Sequence, residues 1–147
     1  MRNTKKMKIV MLALASIFTE SLTYQDNLLA DQIQNDGNEV IIIADCFKYQ
    51  NGKIIETEEE DKILNNGIHL IRKKYINLFG KFVSGKIRAV KGLYCIIENL
   101  KPDIIFHHGL QTYEMLTIIK YKTLHPEIKF YAESHEDFNN SATNFLS

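Results

Sequence analysis

The sequence predicts an α/β fold built on a doubly wound parallel sheet, with helices covering both faces of the sheet. Short apolar runs, typical of strands buried on both faces, alternate along the chain with segments of helical periodicity. Strands that alternate with helices in this way form parallel sheets. The chain has 147 residues, 45% hydrophobic and 24% charged, so one domain can bury a core without disulfides or metals.

The first predicted elements are a buried strand, a helix and a second buried strand. Residues 8–14 and 40–44 form the two apolar runs. Between them, Thr23 is a candidate helix N-cap with Asp26 at the capping-box position, and Gly37 can adopt the left-handed conformation that ends a helix. The apolar face predicted for this helix consists of Tyr24, Leu28, Leu29 and Ile33.

The start of the chain also resembles a secretory signal. Lys5, Lys6 and Lys8 precede the apolar run, and residues 13–15 resemble a cleavage site. The run is too short to span a membrane, and polar residues soon follow it. We favour a buried strand, because the downstream pattern of strands requires a first one.

The middle of the chain contains a hairpin and a third strand. Asn51-Gly52, between two short strand-like pieces, predicts a hairpin over residues 47–56. The acidic residues 58–61 are predicted to be a solvated run, and residues 68–71 a third strand of the main sheet.

The second half of the chain predicts helices over residues 86–100 and 112–124, and strands over 103–106 and 129–132. Residues 139–147 resemble the start of a further helix, which suggests that the sequence is part of a longer protein. The core-facing residues are predicted to be Ile87, Val90, Tyr94 and Ile97 in the first helix, and Met115, Ile118 and Ile119 in the second.

The two cysteines, Cys46 and Cys95, lie in no C-x-x-C pair, so the sequence supports neither a zinc knuckle nor a redox motif. We interpret them as buried free thiols in a reducing compartment.

Polar residues follow three of the predicted strands, at the sheet edge where ligands bind in open α/β folds. Three of the five histidines converge there. The residues are Ser16, Thr19, Glu20, Ser21 and Thr23 after the first strand; His107, His108, Gly109, Gln111 and Thr112 after the fourth; and Glu133, His135, Glu136 and Asp137 after the fifth.

Three interpretations of this edge remain open. His107, His108 and His135 with a carboxylate could ligate a metal, although adjacent histidines on an extended segment point to opposite sides. The same edge could recognise sugar hydroxyls or phosphate, with His135 and Asp137 or Glu133 as an oriented pair. These residues could also serve only to cap helices and join elements.

Two common binding motifs are absent. Residues 15–23 contain no glycine, so the dinucleotide-binding fingerprint is missing after the first strand. The sequence also has no G-x-S-x-G nucleophile elbow, which leaves α/β-hydrolase chemistry without support.

The stretch from Lys62 to Ile97 contains no acidic residue, although the formal net charge of the whole chain is +0 and gives no argument for nucleic-acid binding. Phe79 and Phe82, with Leu78 and Val83, could insert at an anionic membrane surface. The alternative is a solvated face paired with the acidic run. The basic residues are Lys62, Arg72, Lys73, Lys74, Lys81, Lys86, Arg88 and Lys91, interleaved with Tyr75, Phe79, Phe82 and Tyr94.

Several segments together resemble the N-terminal domain of glycosyltransferase family 4. Two are fairly specific: residues 17–20 followed by 24–29, and Glu133-Ser134-His135-Glu136-Asp137 followed by residues 139–141. Residues 36–40 and 101–109 also match, although similar pieces occur in many α/β domains.

The resemblance implies the Rossmann-like, acceptor-side half of a two-domain enzyme of the GT-B fold, with most of the nucleotide-sugar held by a second domain that carries an E-x7-E motif. It implies sugar transfer with retention, no metal and no cofactor other than the donor substrate. His135 matches the family's strand-five histidine near the transferred sugar. The substrate-binding residues expected beside it are Glu133, Asp137, His108, Gln25, Tyr24, Ser21 and Thr23.

The expected partners are a nucleotide-sugar and a glycan or lipid-linked acceptor, without nucleic acid. We expect a cytoplasmic location, with peripheral contact at the inner face of the membrane through Lys62 to Ile97. Three competing functions are a flavodoxin-like binding module, one chain of a split glycosyltransferase, and a metal-dependent hydrolase on the same edge.

Overall fold

The computed structural model describes residues 5–77 and 79–134 of the chain. Six strands form one sheet in the order β5-β6-β2-β1-β7-β8, and two more form a separate hairpin. The elements are β1 (Lys8–Ala13), α1 (Gln25–Asn35), β2 (Glu39–Ala44), β3 (Phe47–Gln50), β4 (Lys53–Glu56), β5 (Glu60–Ile63), β6 (His69–Arg72), α2 (Lys81–Ile87), α3 (Leu93–Leu100), β7 (Ile104–His108), α4 (Glu114–Leu124) and β8 (Lys129–Glu133).

The central strands are apolar on both faces, as the sequence predicts. Along β1, alternate residues enter different cores: Leu12 faces the side covered by α3 and α4, whereas Met11 faces the side of α1. β1 pairs in parallel with β2 and β7, and further parallel pairs join β2 to β6 and β7 to β8. The carboxyl ends of these five strands therefore lie at one edge of the sheet.

The prediction of a doubly wound parallel sheet is nevertheless wrong. β5 runs antiparallel to β6, so the sheet is mixed, and the chain passes from β2 to β6 through the β3–β4 hairpin and β5 instead of a covering helix. The acidic run explains part of the difference. Glu60 and Asp61 of this run begin the edge strand β5, where charges discourage pairing with further strands. The Rossmann-like fold that the resemblance to GT-B enzymes implies is therefore also wrong.

The hairpin is confirmed at its predicted position. β3 and β4 pair antiparallel, and the turn residues Asn51 and Gly52 have φ of 51° and 73°. Two consecutive residues with positive φ are typical of the tight hairpin turn that Asn-Gly favours. A backbone hydrogen bond from Tyr49 N–H to Thr19 Oγ1, at 2.9 Å, ties the hairpin to the loop after β1.

The helices differ from the prediction in their ends and faces. The helix predicted over residues 86–100 is two helices, because Arg88 and Gly92 between them adopt left-handed backbone conformations. Tyr24 and Leu28 are exposed, and the buried residues of α1 are Asn27 and Ala30. In α4, Ile118 is buried as predicted but Ile119 is exposed; Glu114 and Tyr121 complete the buried set of that helix.

A buried arginine fixes the loops at the carboxyl edge. Arg72, at the end of β6, is fully buried, and its five donors reach five oxygens at 2.9–3.2 Å. The acceptors lie in the loop after β1, the end of β2, β3 and β5, so one side chain joins four segments. They are the carbonyls of Phe18, Asp45 and Phe47 and the carboxylates of Glu20 and Glu60.

The cysteines and the lengths of the helices can be compared with the predictions from the sequence. Both cysteines are free; Cys46 is buried as predicted, but Cys95 is exposed, so the prediction of two buried thiols is half wrong. In the part of the chain that the structure describes, none of the helices is both long enough and apolar enough to cross a bilayer.

Candidate functional site

A group of ionisable and polar side chains lies where β1, β7 and β8 end and α1 begins. Asp26 is in the first turn of α1, His108 is the last residue of β7, and Glu133 is the last residue of β8. Because β7 and β8 are parallel neighbours with His108 opposite Glu133, these two side chains start from adjacent positions. The sheet topology thus converts three distant sequence positions into one site.

His108 lies between two carboxylates. Its Nδ1 is 2.9 Å from Asp26 Oδ1 and 3.8 Å from Glu133 Oε2. The side chains of His108 and Asp26 are 13% and 14% exposed, so the contact between them is only partly hydrated. The close contact with the Asp26 carboxylate raises the pKa of His108; burial opposes the shift, and the charge of Glu133 adds to it.

Two neutral side chains orient the carboxylates. Gln25 Nε2 donates to Glu133 Oε1 at 2.9 Å, and Ser16 Oγ donates to Asp26 Oδ2 at 3.0 Å. Asp26 therefore holds His108 with one oxygen while the other accepts from the loop after β1. This arrangement of a histidine held by an oriented carboxylate is the one that fixes an imidazole in proton-transfer sites.

A cleft of about 490 Å³ opens beside this group. Tyr24 and Tyr49 lie at it with ring centroids 6.4 Å apart and planes at 76°, and both rings are more than one third exposed. The cleft combines aromatic surface with hydrogen-bonding groups, as small-molecule sites do. Its lining consists of Ala15, Ser16, Ile17, Phe18, Tyr24, Gln25, Asp26, Asn27, Tyr49 and His108.

Close backbone packing holds the loops together behind the cleft. Gly109 follows His108 with a φ of 84°, and a Cβ added there would lie 2.3 Å from the Cβ of Ala15. Only glycine permits this approach without a shift of the loop after β1. Gly109 N–H also donates to the carbonyl of Glu133 at 2.9 Å, which joins the ends of β7 and β8.

The two adjacent histidines serve different sides of the sheet, as predicted. His107 is fully buried beside α4, and its Nε2 lies 3.0 Å from Thr112 Oγ1. Burial lowers the pKa of His107 to about 4; the polar backbone of Gly109 opposes this shift, and the charge of His108 adds to it. His107 and His108 therefore cannot share one metal centre. Over residues 5–77 and 79–134, no group of three or more His, Cys, Asp and Glu side chains is arranged to hold a metal ion.

Four of the predicted site residues come together: Tyr24, Gln25, His108 and Glu133. Thr23 is exposed beside them, and it is not the cap of α1, whose N-cap residue is Tyr24. Ser21 faces a different cavity of about 430 Å³ that also contains Glu20 and Lys62. His135 and Asp137 lie outside the described residues, so their predicted roles stay predictions.

Sequence reasoning missed two residues of this site. Asp26 was interpreted as a capping-box acid, whereas it holds His108 and accepts from Ser16. Tyr49 was assigned only to the hairpin. A usable signal existed for Asp26, because a carboxylate in the first turn of a helix after β1 lies at the sheet edge where ligands bind. None existed for Tyr49, whose position depends on how the hairpin folds back.

The basic stretch is partly neutralised by the acidic run, as one of the two interpretations predicts. Lys62 lies 3.0 Å from Glu20 and 2.8 Å from Glu60, Lys73 is 3.2 Å from Glu59, and Lys74 is 2.7 Å from Glu58. With Arg72 bound as described above, the first half of the stretch is paired with carboxylates.

The sequence matches no protein-family model, and no curated protein is significantly similar to it.

Proposed function

We propose that this chain is the acceptor-side part of a retaining glycosyltransferase, which moves a sugar from a nucleotide-sugar to a glycan or lipid-linked acceptor. One observation carries the proposal: two exposed tyrosines line the same cleft as Asp26 and His108, and Glu133 lies 3.8 Å from His108. Sugars present apolar C–H faces and rings of hydroxyls. Aromatic rings pack against the first, and carboxylates and amides bind the second.

The site residues have distinct roles in this proposal. Asp26 and Glu133 accept hydrogen bonds from sugar hydroxyls, and Gln25, already bonded to Glu133, supplies both an amide donor and an amide acceptor. His108, held by Asp26, binds on the acceptor side. His135 retains the role near the transferred sugar that the family resemblance implies.

The reaction needs little covalent work from the protein. The acceptor oxygen bonds to the anomeric carbon, the bond from that carbon to the diphosphate breaks on the same face, and the acceptor's proton passes to the leaving diphosphate. Positioning of the two substrates and stabilisation of the charge that develops on the diphosphate then supply most of the rate enhancement. The rigid contacts around Asp26 and Gly109 are the kind of support that positioning requires.

The proposal includes a cytoplasmic location. Cys46 and Cys95 are free thiols, and unpaired cysteines are typical of proteins kept in a reducing compartment.

The first experiment is ligand-observed NMR of the 147-residue chain with a panel of nucleotide-sugars, free sugars and free nucleotides. We expect saturable binding of at least one sugar, weakened by His108→Ala and by Glu133→Gln. The control is Tyr131→Ala, which changes an exposed tyrosine of β8 that does not line the cleft. Absence of sugar binding, or binding that neither site substitution weakens, would contradict the proposal.

Catalysis is tested separately from binding. If the reading frame continues beyond Ser147, the full-length protein is assayed for transfer from nucleotide-sugars, and His135→Ala is expected to lower turnover. Sugar binding without transfer in that protein would favour the alternative of a non-catalytic binding module. Transfer that appears only when a second chain is added would favour the split enzyme.

A further inference from the structure

The second half of the basic stretch carries two aromatic side chains, Phe79 and Phe82, that are largely exposed to solvent. Phe79 is 84% exposed and Phe82 is 77% exposed, more than any other large hydrophobic residue of the described chain. Phe82 is in α2 and Phe79 just precedes that helix. Two phenylalanines so near each other and almost fully in water indicate a surface that a partner covers.

Lysine side chains are interspersed with these rings along the same segment. Lys86 Nζ lies 5.2 Å from the centroid of the Phe82 ring, one helical turn along α2. Lys81 and Lys91 are exposed as well. Lys81 forms an ion pair with Glu56 at 3.4 Å, and its side chain remains 90% exposed. The sequence contains no other acidic residue within this segment, since none occurs between Asp61 and Glu98.

We propose that Phe79, Phe82, Lys81, Lys86 and Lys91 form a docking surface for an anionic lipid bilayer. Exposed aromatic side chains insert at the boundary between headgroups and acyl chains, while lysines with long flexible stems reach the phosphates. Anionic lipid attracts such a segment within a Debye length of the surface. The combination of apolar rings with cations and almost no carboxylate is complementary to that surface. It is a poorer match to an acidic protein, for which the two exposed rings would have no role.

The helix that carries Phe82 and Lys86 ends at the candidate site. Arg88 ends α2, and its Nη1 donates to the carbonyl of Ala15 at 2.9 Å, at the cleft. A bilayer bound at α2 would therefore bring lipid-linked molecules close to the cleft. Bilayer binding itself requires nothing of the proposed sugar transfer and is tested without any sugar.

The first test uses the absence of tryptophan from the chain. Phe79→Trp introduces a single tryptophan on the docking surface. Leu116→Trp introduces one on α4, at a leucine that is 60% exposed in the native chain. Both variants are mixed with vesicles of phosphatidylcholine alone or of phosphatidylcholine and phosphatidylglycerol in equal amounts. We expect a blue shift of emission only for Phe79→Trp and only with the anionic vesicles. An unshifted Phe79→Trp spectrum, or equal shifts in both variants, would overturn the proposal.

The second test measures sedimentation of the protein with the same vesicles. Phe79→Ser with Phe82→Ser is expected to reduce the bound fraction at least about tenfold, and replacing Lys81, Lys86 and Lys91 by Glu should abolish binding. Leu116→Ser with Leu124→Ser is the matched control, since both leucines are 60% exposed on α4. All these positions are at the surface, and circular dichroism verifies that the variants fold. Equal loss in the control pair, or binding that added salt leaves unchanged, would count against docking through this surface.

Discussion

Two polar networks lie at the same edge of the sheet, and they differ in how completely they are enclosed. Arg72 is fully buried and all five of its donors have acceptors. His108 is 13% exposed and sits between carboxylates that are 14% and 27% exposed, beside an open cleft. The first network joins four segments of the chain, whereas the second faces the space where a ligand could bind.

The difference shows how a structural ionic network can be told apart from a candidate site. A buried guanidinium must be satisfied completely, because any missing acceptor leaves a desolvated donor. Titratable groups that stay partly hydrated around a cleft can exchange protons and accept a ligand. The network around Arg72 therefore holds the loops of this edge in place, whereas the group around His108 is accessible to a ligand from the cleft.

The largest effect is expected for Arg72→Met. The substitution leaves Glu20, Glu60 and three backbone carbonyls without their buried donor, and breaking one side of a buried ionic network costs about 3–5 kcal/mol. The free energy of unfolding, measured by urea denaturation, should fall by that amount. Lys73→Met removes an exposed ion pair of the same edge and should change it little. A small effect of Arg72→Met would mean that the loops do not depend on this side chain.

The next effect tests the packing behind the cleft. Gly109→Ala places a Cβ 2.3 Å from that of Ala15 and also forces an alanine into a positive φ, so we expect a loss of about 2–3 kcal/mol. Gly37→Ala is the matched control: its φ is similar, at 89°, but no atom lies within 4 Å of the new Cβ. That variant should lose only about 1 kcal/mol. Equal losses in the two variants would show that the contact with Ala15 is unimportant.

The main strands and the hairpin could be predicted from the sequence because their signals are local. The apolar run that becomes β2 and the Asn51-Gly52 turn each specify their own structure. The mixed sheet could not be predicted, because four consecutive acidic residues at 58–61 are typical of a solvated segment and not of a strand. Their pairing with β6 depends on Arg72 and Lys73, which follow them in the chain by more than ten residues.

The location of the candidate site could be predicted from the sequence, but the contacts between its side chains could not. Parallel strands bring His108 and Glu133 to one edge, and the sequence pattern is sufficient to predict that. The role of Asp26 depends on where α1 begins. The predicted cap at Thr23 would have placed Asp26 in a local capping interaction, whereas α1 starts at Gln25 and Asp26 contacts His108. A shift of the N-cap by one residue, from Thr23 to Tyr24, was enough to change the role.

A smaller effect is expected on ligand affinity at the two tyrosines, if the cleft binds sugar as proposed. Tyr24→Ala and Tyr49→Ala each remove one exposed ring from the cleft, and aromatic contacts of this kind contribute about 0.5–1.5 kcal/mol, or roughly two- to tenfold in affinity. Titration calorimetry with the sugar identified by NMR measures the change. Tyr131→Ala should leave the affinity unchanged. Equal weakening by all three substitutions would indicate a general loss of structure.

The smallest effect concerns how stability changes with pH, and it contrasts the two adjacent histidines. The folded-state pKa of His108 is raised above the ordinary 6.5, so its stabilising contribution is complete below about 6.5 and is lost as pH rises through the folded value. The pKa of His107 is lowered to about 4, so the folded protein binds fewer protons than the unfolded chain between 4 and 6.5. Stability from His107 is therefore lost as pH falls through that range.

Asp26→Asn separates these two contributions. The amide keeps the shape of the side chain but removes the charge that raises the pKa of His108. The loss of stability above pH 6.5, which comes from His108, should therefore become weaker. The loss below pH 6.5, which comes from His107, should stay the same. Urea denaturation across a pH series measures both limbs, and NMR titration of the imidazole rings assigns each limb to its histidine. The effect is small because His108 and Asp26 remain partly hydrated. If the ring of His108 titrates at the same pH in both proteins, Asp26 does not control its proton, and the interpretation that Asp26 holds His108 is wrong.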